Sequence, residues 1–480
     1  MSAVGSDTSP QTTVRDGQRV VILGGGPGGY EAALVARRLG ADVTVVEKQG
    51  LGGAAVLTDV VPSKTLIATA EWLTIAERAP ELGIRGSGDG KYGVDLTAVN
   101  TRVLALAAAQ SADIRARLER EGIVVVTGQG RLDGPSRVVV SGPGADDVAY
   151  DADAVLVAVG ATPRVLPTAV PDGERILTWT QLYSLDALPE RLIVVGSGVT
   201  GAEFAGAYQA LGSDVVLVSS RDRVLPGEDE DAAALLEGVF RGRGMEVLSR
   251  SRAAAASRTA SGVEVTLDDG RVVEGSHVLV AVGAVPATRG IGLEEAGVAL
   301  SSSGHVVVDK VSRTTARGVY AAGDCTGVLP LASVAAQQGR IAMAHALGDA
   351  VEPLRLGTVA ANIFTAPEIA TVGYSEKDLR QRSIRYVTTT IPLARNPRAK
   401  MLGMRDGFVK LFAHPEAGVV LGGVVVAPRA SELVFPITLA VAHRLTVDDV
   451  AGAFTVYPSL SGSIAEAART LHGTRDPGEA

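Results

Sequence analysis

The chain has 480 residues, with 45 basic and 53 acidic side chains and a formal net charge of −8; at roughly 150 residues per domain this length implies about three domains, each able to bury its own core. The charges are interspersed, without the basic blocks that a nucleic-acid or anionic-membrane surface needs, so polyanion binding is excluded. A single cysteine, Cys325, excludes an intramolecular disulfide and a metal cluster, and it fits a reducing cytoplasm.

In chain order, the polar stretch from residue 1 to Gly17 lacks the apolar centre of a signal peptide and is expected to be a disordered tail. From residue 19, RVVILGGGPGGYEAA runs from an apolar strand through a G-x-G-x-x-G turn into a helix, and LGADVTVVE at 39–47 follows as a second strand. The segment GGAAVLTDVVPSK comes next and is read as ending in a polar turn, Pro62-Ser63-Lys64. From residue 191 the first pattern returns as RLIVVGSGVTGAEFA, followed by LGSDVVLVS at 211–219, and the run VLVAVGA occurs unchanged at 155–161 and 278–284. Two βαβ nucleotide-binding domains of common design follow from this duplication. No run reaches the 18 or so apolar residues of a membrane span. The glycine-and-valine stretch at 418–428 is predicted to be a buried strand.

In each copy the glycines divide the work. Gly24 or Gly196 permits the tight strand-to-helix turn, Gly26 or Gly198 lets backbone approach a pyrophosphate, and Gly29 or Gly201 lets the helix pack on the strand. The helix N-terminus stabilises the anion. The second strands end differently. In the first copy the residue 23 places after the first glycine is Glu47, an acceptor for ribose hydroxyls that suits the adenosine half of FAD or NAD. In the second it is Ser219, with Arg221 and Arg223 close by, so the carboxylate that repels a 2′-phosphate is gone and NADPH is favoured. A solvated arginine face is the alternative, which leaves NADH open.

These segments, with TGQGRL at 127–132, GVYAAGD at 318–324, FTAPEIATVG at 364–373 and NPRAKM at 396–401, resemble the flavoprotein disulfide reductases, dihydrolipoamide dehydrogenase above all, in order from about residue 18 to 470. The resemblance implies an α/β fold of two Rossmann-like domains, the NAD(P)H domain inserted in the FAD domain, and a C-terminal α+β dimerisation domain. The implied divisions are a tail at 1–17, an FAD domain at 18–165 and 290–355, an NAD(P)H domain at 166–289, and a dimerisation domain at 356–472. Carried over by residue, Gly24, Gly26, Gly29 and Glu47 match the FAD adenosine and pyrophosphate site, Gly130 a backbone contact near adenine, and Asp324 the carboxylate at the ribityl side. Gly53, Gly160, Ala332 and Gly283 are further cofactor-binding candidates. Lys64 and Glu203 match a pair beside flavin N5, where a cation stabilises the reduced ring. Cys325, directly after Asp324, is expected to be a buried structural thiol, and His414 and His443 are assigned no role.

The departures from the family are equally specific. Where its frame carries the two redox cysteines this chain has Ala55 and Val60, and where it carries a His-Glu pair the segment YPSLSG has Tyr457 and Gly462. A tyrosine of ordinary pKa near 10 does not serve as a thiol base at neutral pH. Electron relay and proton relay for dithiols are lost together while both nucleotide sites are kept, so electrons must leave the flavin directly. The same pattern, including YPSLSGS at 457–463, is similar to the disulfide-less NAD(P)H:quinone reductases of actinobacteria. The function implied is a cytoplasmic, homodimeric, FAD-dependent NAD(P)H:quinone oxidoreductase, with Lys64, Glu203 and Tyr457 as catalytic candidates and no metal. Tyr457 either meets a quinone oxygen or fills the space left by histidine. A pyridine-nucleotide transhydrogenase and a non-catalytic flavoprotein scaffold or sensor are the alternatives.

Overall fold

The computed structural model describes residues 17–84, 92–142 and 146–472, so the expected N-terminal tail, Gly17 apart, lies outside the described residues. The chain clusters into two compact units. One runs to Pro62 and takes in Leu104–Thr162 and Ala284–Leu354; the other comprises Ser63–Val103, Pro163–Gly283 and the chain from Arg355 on. Residues 63–103, grouped with the first domain in the sequence division, thus cluster with the second unit.

The first unit is built on a parallel sheet of five strands in the order Val319–Ala321, Ala154–Val157, Arg19–Leu23, Asp42–Glu47, Val124–Thr127. A strand covered on both faces needs an unbroken apolar run, and Val20 to Leu23 supply one, all of them buried. The crossover helix Pro27–Arg38 opens on proline, whose missing N–H costs nothing at a first helical position. It packs on the helix Ala332–Ala346 at backbone distance: a Cβ on Gly339 would lie 2.0 Å from the carbonyl oxygen of Gly28. The unit also holds an antiparallel sheet of Gln129–Leu132, Arg137–Ser141 and Val148–Asp151.

The second unit repeats the design. Its parallel sheet runs Glu246–Leu248, Asp214–Val218, Arg191–Val195, His277–Val280, Ile176–Leu177, with Val199–Leu211 as the crossover helix. The duplication extends to individual hydrogen bonds. Gly24 N–H donates to the Val46 carbonyl at 2.8 Å and Gly196 N–H to that of Val218 at 2.9 Å, while Ala158 N–H reaches Leu23 at 2.7 Å and Ala281 N–H reaches Val195 at 2.8 Å. The unit also holds a five-stranded antiparallel sheet in the order Ala360–Ile363, Glu368–Gly373, Val420–Ala427, Phe408–Ala413, Val387–Pro392. The valine-rich stretch forms its central strand, buried as expected, because Val424, Val425 and Val426 face cores on both sides.

One expectation is corrected. Pro62-Ser63-Lys64 is not a turn but lies within the opening turns of a helix, Val60–Glu77. Proline is tolerated at the start of a helix, where an N–H would have no intrahelical partner, so the Pro-Ser pair that resembles a turn in sequence lies in a helix start instead. The consequence is positional: Lys64 projects from a rigid element. Among the described residues no helix is long and apolar enough to cross a membrane.

Candidate active site

Both strand-to-helix corners demand glycine twice. Gly24 and Gly196 sit at φ of 101° and 114°, and a Cβ at either would lie 2.3 Å from a carbonyl oxygen, that of Ala158 or of Ala281. A Cβ on Gly29 or Gly201 would stand 1.9 or 1.8 Å from the carbonyl oxygen of Gly24 or Gly196, where no backbone can yield cheaply. The middle glycines behave differently. A Cβ on Gly26 would come no nearer than 4.0 Å to Gly52, and on Gly198 it would meet nothing within 4 Å. Both helices therefore begin against open space, with N–H groups directed outward. The arrangement fits a pyrophosphate at each corner.

The two copies diverge at the next contact. In the first, Glu47 accepts hydrogen bonds from Gly25 N–H at 2.7 Å and Gln49 N–H at 2.8 Å, which fixes its carboxylate at the strand end with acceptor capacity left for ribose hydroxyls. In the second, Ser197 stands where Gly25 was and Ser219 where Glu47 was. Their hydroxyls meet at 2.7 Å, and Ser219 is fully buried, its Oγ also reaching the carbonyls of Arg221 and Arg223. Ser219 thus ties its loop together through its hydroxyl. Arg221 is exposed, while Arg223 is partly engaged by Glu230 at 3.2 Å.

In the first unit the remaining candidates fall around the same sheet end. Gly53 lies against Gly26, a Cβ there being 2.9 Å from its Cα, and Gly130 is packed so that a Cβ would strike Leu23. Gly160 follows the strand Ala154–Val157, and Ala332 is the first residue of its helix. Asp324 is mostly buried, and this desolvation pushes its carboxyl above the usual range, only partly offset by His305. Cys325 is fully buried, its thiol reaching the Ala322 carbonyl at 3.3 Å, and burial pushes its pKa up to about 12. At pH 8 the thiolate fraction is then about one part in 10⁴. The folded protein is expected to resist maleimide for hours and to be labelled within minutes in denaturant. Rapid labelling of native protein, followed by mass spectrometry, would contradict this assignment.

The second unit brings Lys64 and Glu203 together across 139 residues of sequence. Lys64 Nζ lies 2.7 Å from Glu203 Oε2, and the Phe364 N–H donates to Glu203 Oε1 at 2.8 Å. Both carboxylate oxygens are therefore satisfied, which a group only 3% exposed requires. The Lys64 ammonium also stands 5.0 Å from the centroid of the Phe364 ring. The sequence by itself assigns Phe364 no role; its place in FTAPEIATVG, directly after the strand Ala360–Ile363, is the available signal. Ala55 is half-buried in the short helix Gly53–Leu57, and Val60, borderline exposed, heads the helix that carries Lys64. Tyr457 lies 82% exposed on a loop with Phe454 and Val456, and Gly462 opens the helix Gly462–His472. In a single protomer Tyr457 faces solvent. Gly283 follows the strand His277–Val280 and its carbonyl accepts from Arg164 N–H at 2.9 Å.

Two dinucleotide folds of one design in a single chain, joined to a helix-covered antiparallel sheet, define a two-nucleotide oxidoreductase architecture. The chain belongs to the pyridine nucleotide-disulphide oxidoreductase family: its model matches residues 18–339, and the dimerisation-domain model of the same family matches residues 359–468. The chain is 56% identical over 462 residues to the NAD(P)H dehydrogenase (quinone) of Mycobacterium tuberculosis, covering 94% of each. It is 32% identical to the dihydrolipoyl dehydrogenase of Chlamydia pneumoniae, covering 93% of this chain and 95% of that one. The crystal structure of LpdA from Mycobacterium tuberculosis superposes with a TM-score of 0.90 at 55% identity, covering 95% of this chain and 99% of that one. The flavoprotein disulfide reductase RclA from Escherichia coli shares the fold, with a TM-score of 0.84 at 24% identity over 94% of this chain and 99% of that one.

Proposed function

We propose that the protein is an FAD-dependent NAD(P)H:quinone oxidoreductase, a cytoplasmic homodimer without lipoamide dehydrogenase activity. The carrying observation is a retained Lys64–Glu203–Phe364 cluster in a chain that has Ala55 and Val60 in place of redox cysteines and Tyr457 and Gly462 in place of a His-Glu pair. The name of the 56% identical relative supports the same reading, and the match to a dimerisation domain supports the homodimer. In this reading residues 18–165 and 290–355 bind FAD, 166–289 bind NAD(P)H, and 356–472 form the dimer interface, which accounts for the exposed Phe435, Phe454 and Val456 of a lone protomer.

Bound FAD would supply the hydride relay between NAD(P)H and the quinone. The balance is simple: NAD(P)H gives a hydride, solvent gives a proton, and the quinone leaves as quinol. Gly24, Gly26, Gly29 and Glu47 hold the flavin nucleotide, with Gly53, Gly130, Gly160, Asp324 and Ala332 around it. Gly196, Gly198, Gly201 and Gly283 hold the second nucleotide, and Arg221 and Arg223 supply cations for a 2′-phosphate. Lys64 presents positive charge where electron transfer builds negative charge, and Glu203, locked by the Phe364 N–H, keeps that ammonium in place. Tyr457 offers an O–H to a quinone oxygen across the dimer.

The direct test is anaerobic. NADPH or NADH is expected to bleach the flavin absorbance, a naphthoquinone to restore it, and oxidised lipoamide to leave it bleached. Recovery with lipoamide would overturn the reading, and absence of bleaching by either nucleotide would favour a non-catalytic flavoprotein. Tyr457→Phe is expected to slow quinone turnover about fivefold, the worth of one hydrogen bond of ~1 kcal/mol. An unchanged rate would leave Tyr457 a packing residue.

A further inference from the structure

The strand Phe408–Ala413 is buried along its whole length, yet its third residue is a lysine. Lys410, only 4% exposed, extends its ammonium to three carboxylates: Asp231 at 2.8 Å, Asp229 at 3.0 Å and Glu376 at 3.1 Å. Burial alone would lower the lysine's proton affinity, but the hydrogen bonds to Asp231 and Asp229, the charge of Asp229 and the bond to Glu376 outweigh it and keep the ammonium charged. Glu376 is itself bound on its other oxygen by Arg380 at 2.6 Å and by the Tyr386 hydroxyl at 2.9 Å. A buried ion cluster of this kind is weak evidence for stability, since apolar side chains of similar volume would serve as well. Its chemistry points to a task of placement.

That task is visible in what Asp229 does with its second oxygen. Oδ1 caps the helix Glu230–Gly242, accepting from Asp231 N–H at 3.1 Å and Ala232 N–H at 3.2 Å, while Oδ2 takes Lys410. The capped helix then holds the loop before it. Glu230 binds Arg223, and Glu237 accepts from Val224 N–H at 3.0 Å. Leu225, at a φ of 51° that is strained for a branched residue, donates its N–H to the Ser197 carbonyl at 2.9 Å, inside the second glycine-rich corner. At the loop's other end, Ser219 Oγ accepts from Arg221 N–H at 3.1 Å. The loop 219–229 is thus pinned by a buried serine at one end and, through a helix cap, by Lys410 at the other.

We infer that Lys410, on a strand of the antiparallel sheet, is a positioning residue for recognition of a nucleotide 2′-phosphate, acting through Asp229 and its helix on Arg221 and Arg223. The inference rests on the nucleotide assignment of the second corner made above. Without the ammonium, the buried Asp229 carboxylate is left uncompensated beside Glu376 and the more exposed Asp231, so the helix start shifts and carries Arg223 and Val224 with it. The corner itself is held from its own strand pair by the Gly196 N–H to the Val218 carbonyl, so binding of the adenosine and pyrophosphate parts should persist.

The test is a pair of binding isotherms on the purified flavoprotein, with 2′,5′-ADP and with ADP as probes, which differ at the 2′-phosphate and need no turnover. Lys410→Met is expected to weaken 2′,5′-ADP about tenfold while ADP changes less than twofold. Asp231→Asn, at an exposed position that should fold normally, is expected to shift the same ratio in the same direction by less. Arg221→Ala should lose the preference for 2′,5′-ADP, and Lys410→Met added to it should cost little more. Equal weakening of both probes, an unchanged ratio in both Lys410→Met and Asp231→Asn, or additive effects in the double variant would make the cluster a structural anchor and overturn the inference. A wild-type protein that binds ADP but shows no preference for 2′,5′-ADP would overturn it as well. Failure of nucleotide to bleach the wild-type flavin, with the probe preference intact, would count against the proposed reaction alone.

Discussion

Lys64→Met is expected to leave a yellow protein whose quinone turnover is lower by about 100-fold, the scale seen when one electrostatic contact to developing charge is removed. The geometry explains why the loss should be so large. Glu203 is buried, one oxygen held by the Phe364 N–H and the other by Lys64, so methionine removes the cation and also strands a carboxylate in low dielectric. Breaking a buried pair on one side typically costs about 3 kcal/mol, so a fall in thermal midpoint should accompany the fall in rate. The double variant with Glu203→Gln separates the two effects: the amide can still accept from Phe364 without leaving a charge, so stability should largely return while turnover stays low. Steady-state rates with a naphthoquinone, normalised to flavin content, decide the matter. Wild-type turnover in Lys64→Met would remove Lys64 from the chemistry.

Gly29→Ala is expected to yield protein with little or no flavin, whereas Gly201→Ala should keep its flavin and lose affinity for NAD(P)H. The two substitutions are sterically the same. Each places a Cβ within 2 Å of a backbone carbonyl oxygen, 1.9 Å in the first corner and 1.8 Å in the second, so the start of the helix must move away from its strand. Overpacking of this kind costs about 3 kcal/mol or more when backbone is the obstacle. It also withdraws the helix N-terminus from the pyrophosphate it serves. Flavin content read from absorbance and the KM for nucleotide therefore report on different corners. Loss of flavin in Gly201→Ala, with Gly29→Ala still yellow, would reverse the assignment of the two sites.

The duplication, the parallel sheets and the two glycine corners were legible because each rests on local rules: apolar runs for strands buried on both faces, and glycine wherever a Cβ would meet a carbonyl. The change from thiol chemistry was legible too, because Ala55, Val60, Tyr457 and Gly462 stand at motif positions whose chemistry depends on side-chain type alone. The Pro62-Ser63-Lys64 segment shows where local rules mislead. Proline next to serine favours a turn by composition, but at a helix start the same pair is harmless, and the helix forms because the apolar residues beyond it, Leu66, Ile67 and Ala70, are buried.

What only the tertiary structure decided involves partners distant in sequence. Ser219 occupies the position of a ribose-binding acid, yet it is buried against Ser197, so its role depends on which residue stands opposite. Phe364 supplies an N–H to a carboxylate 161 residues away, and a backbone donor has no sequence signature. Lys410 stands in sequence as a lone lysine inside the apolar run FVKLFA, and only the packing of two further elements makes it the buried centre of three carboxylates. Sequence carries the periodicity and the steric necessities of single elements, since these act between near neighbours; the pairing of charges and hydrogen bonds across elements is set by how those elements pack, and that is where this protein's site is assembled.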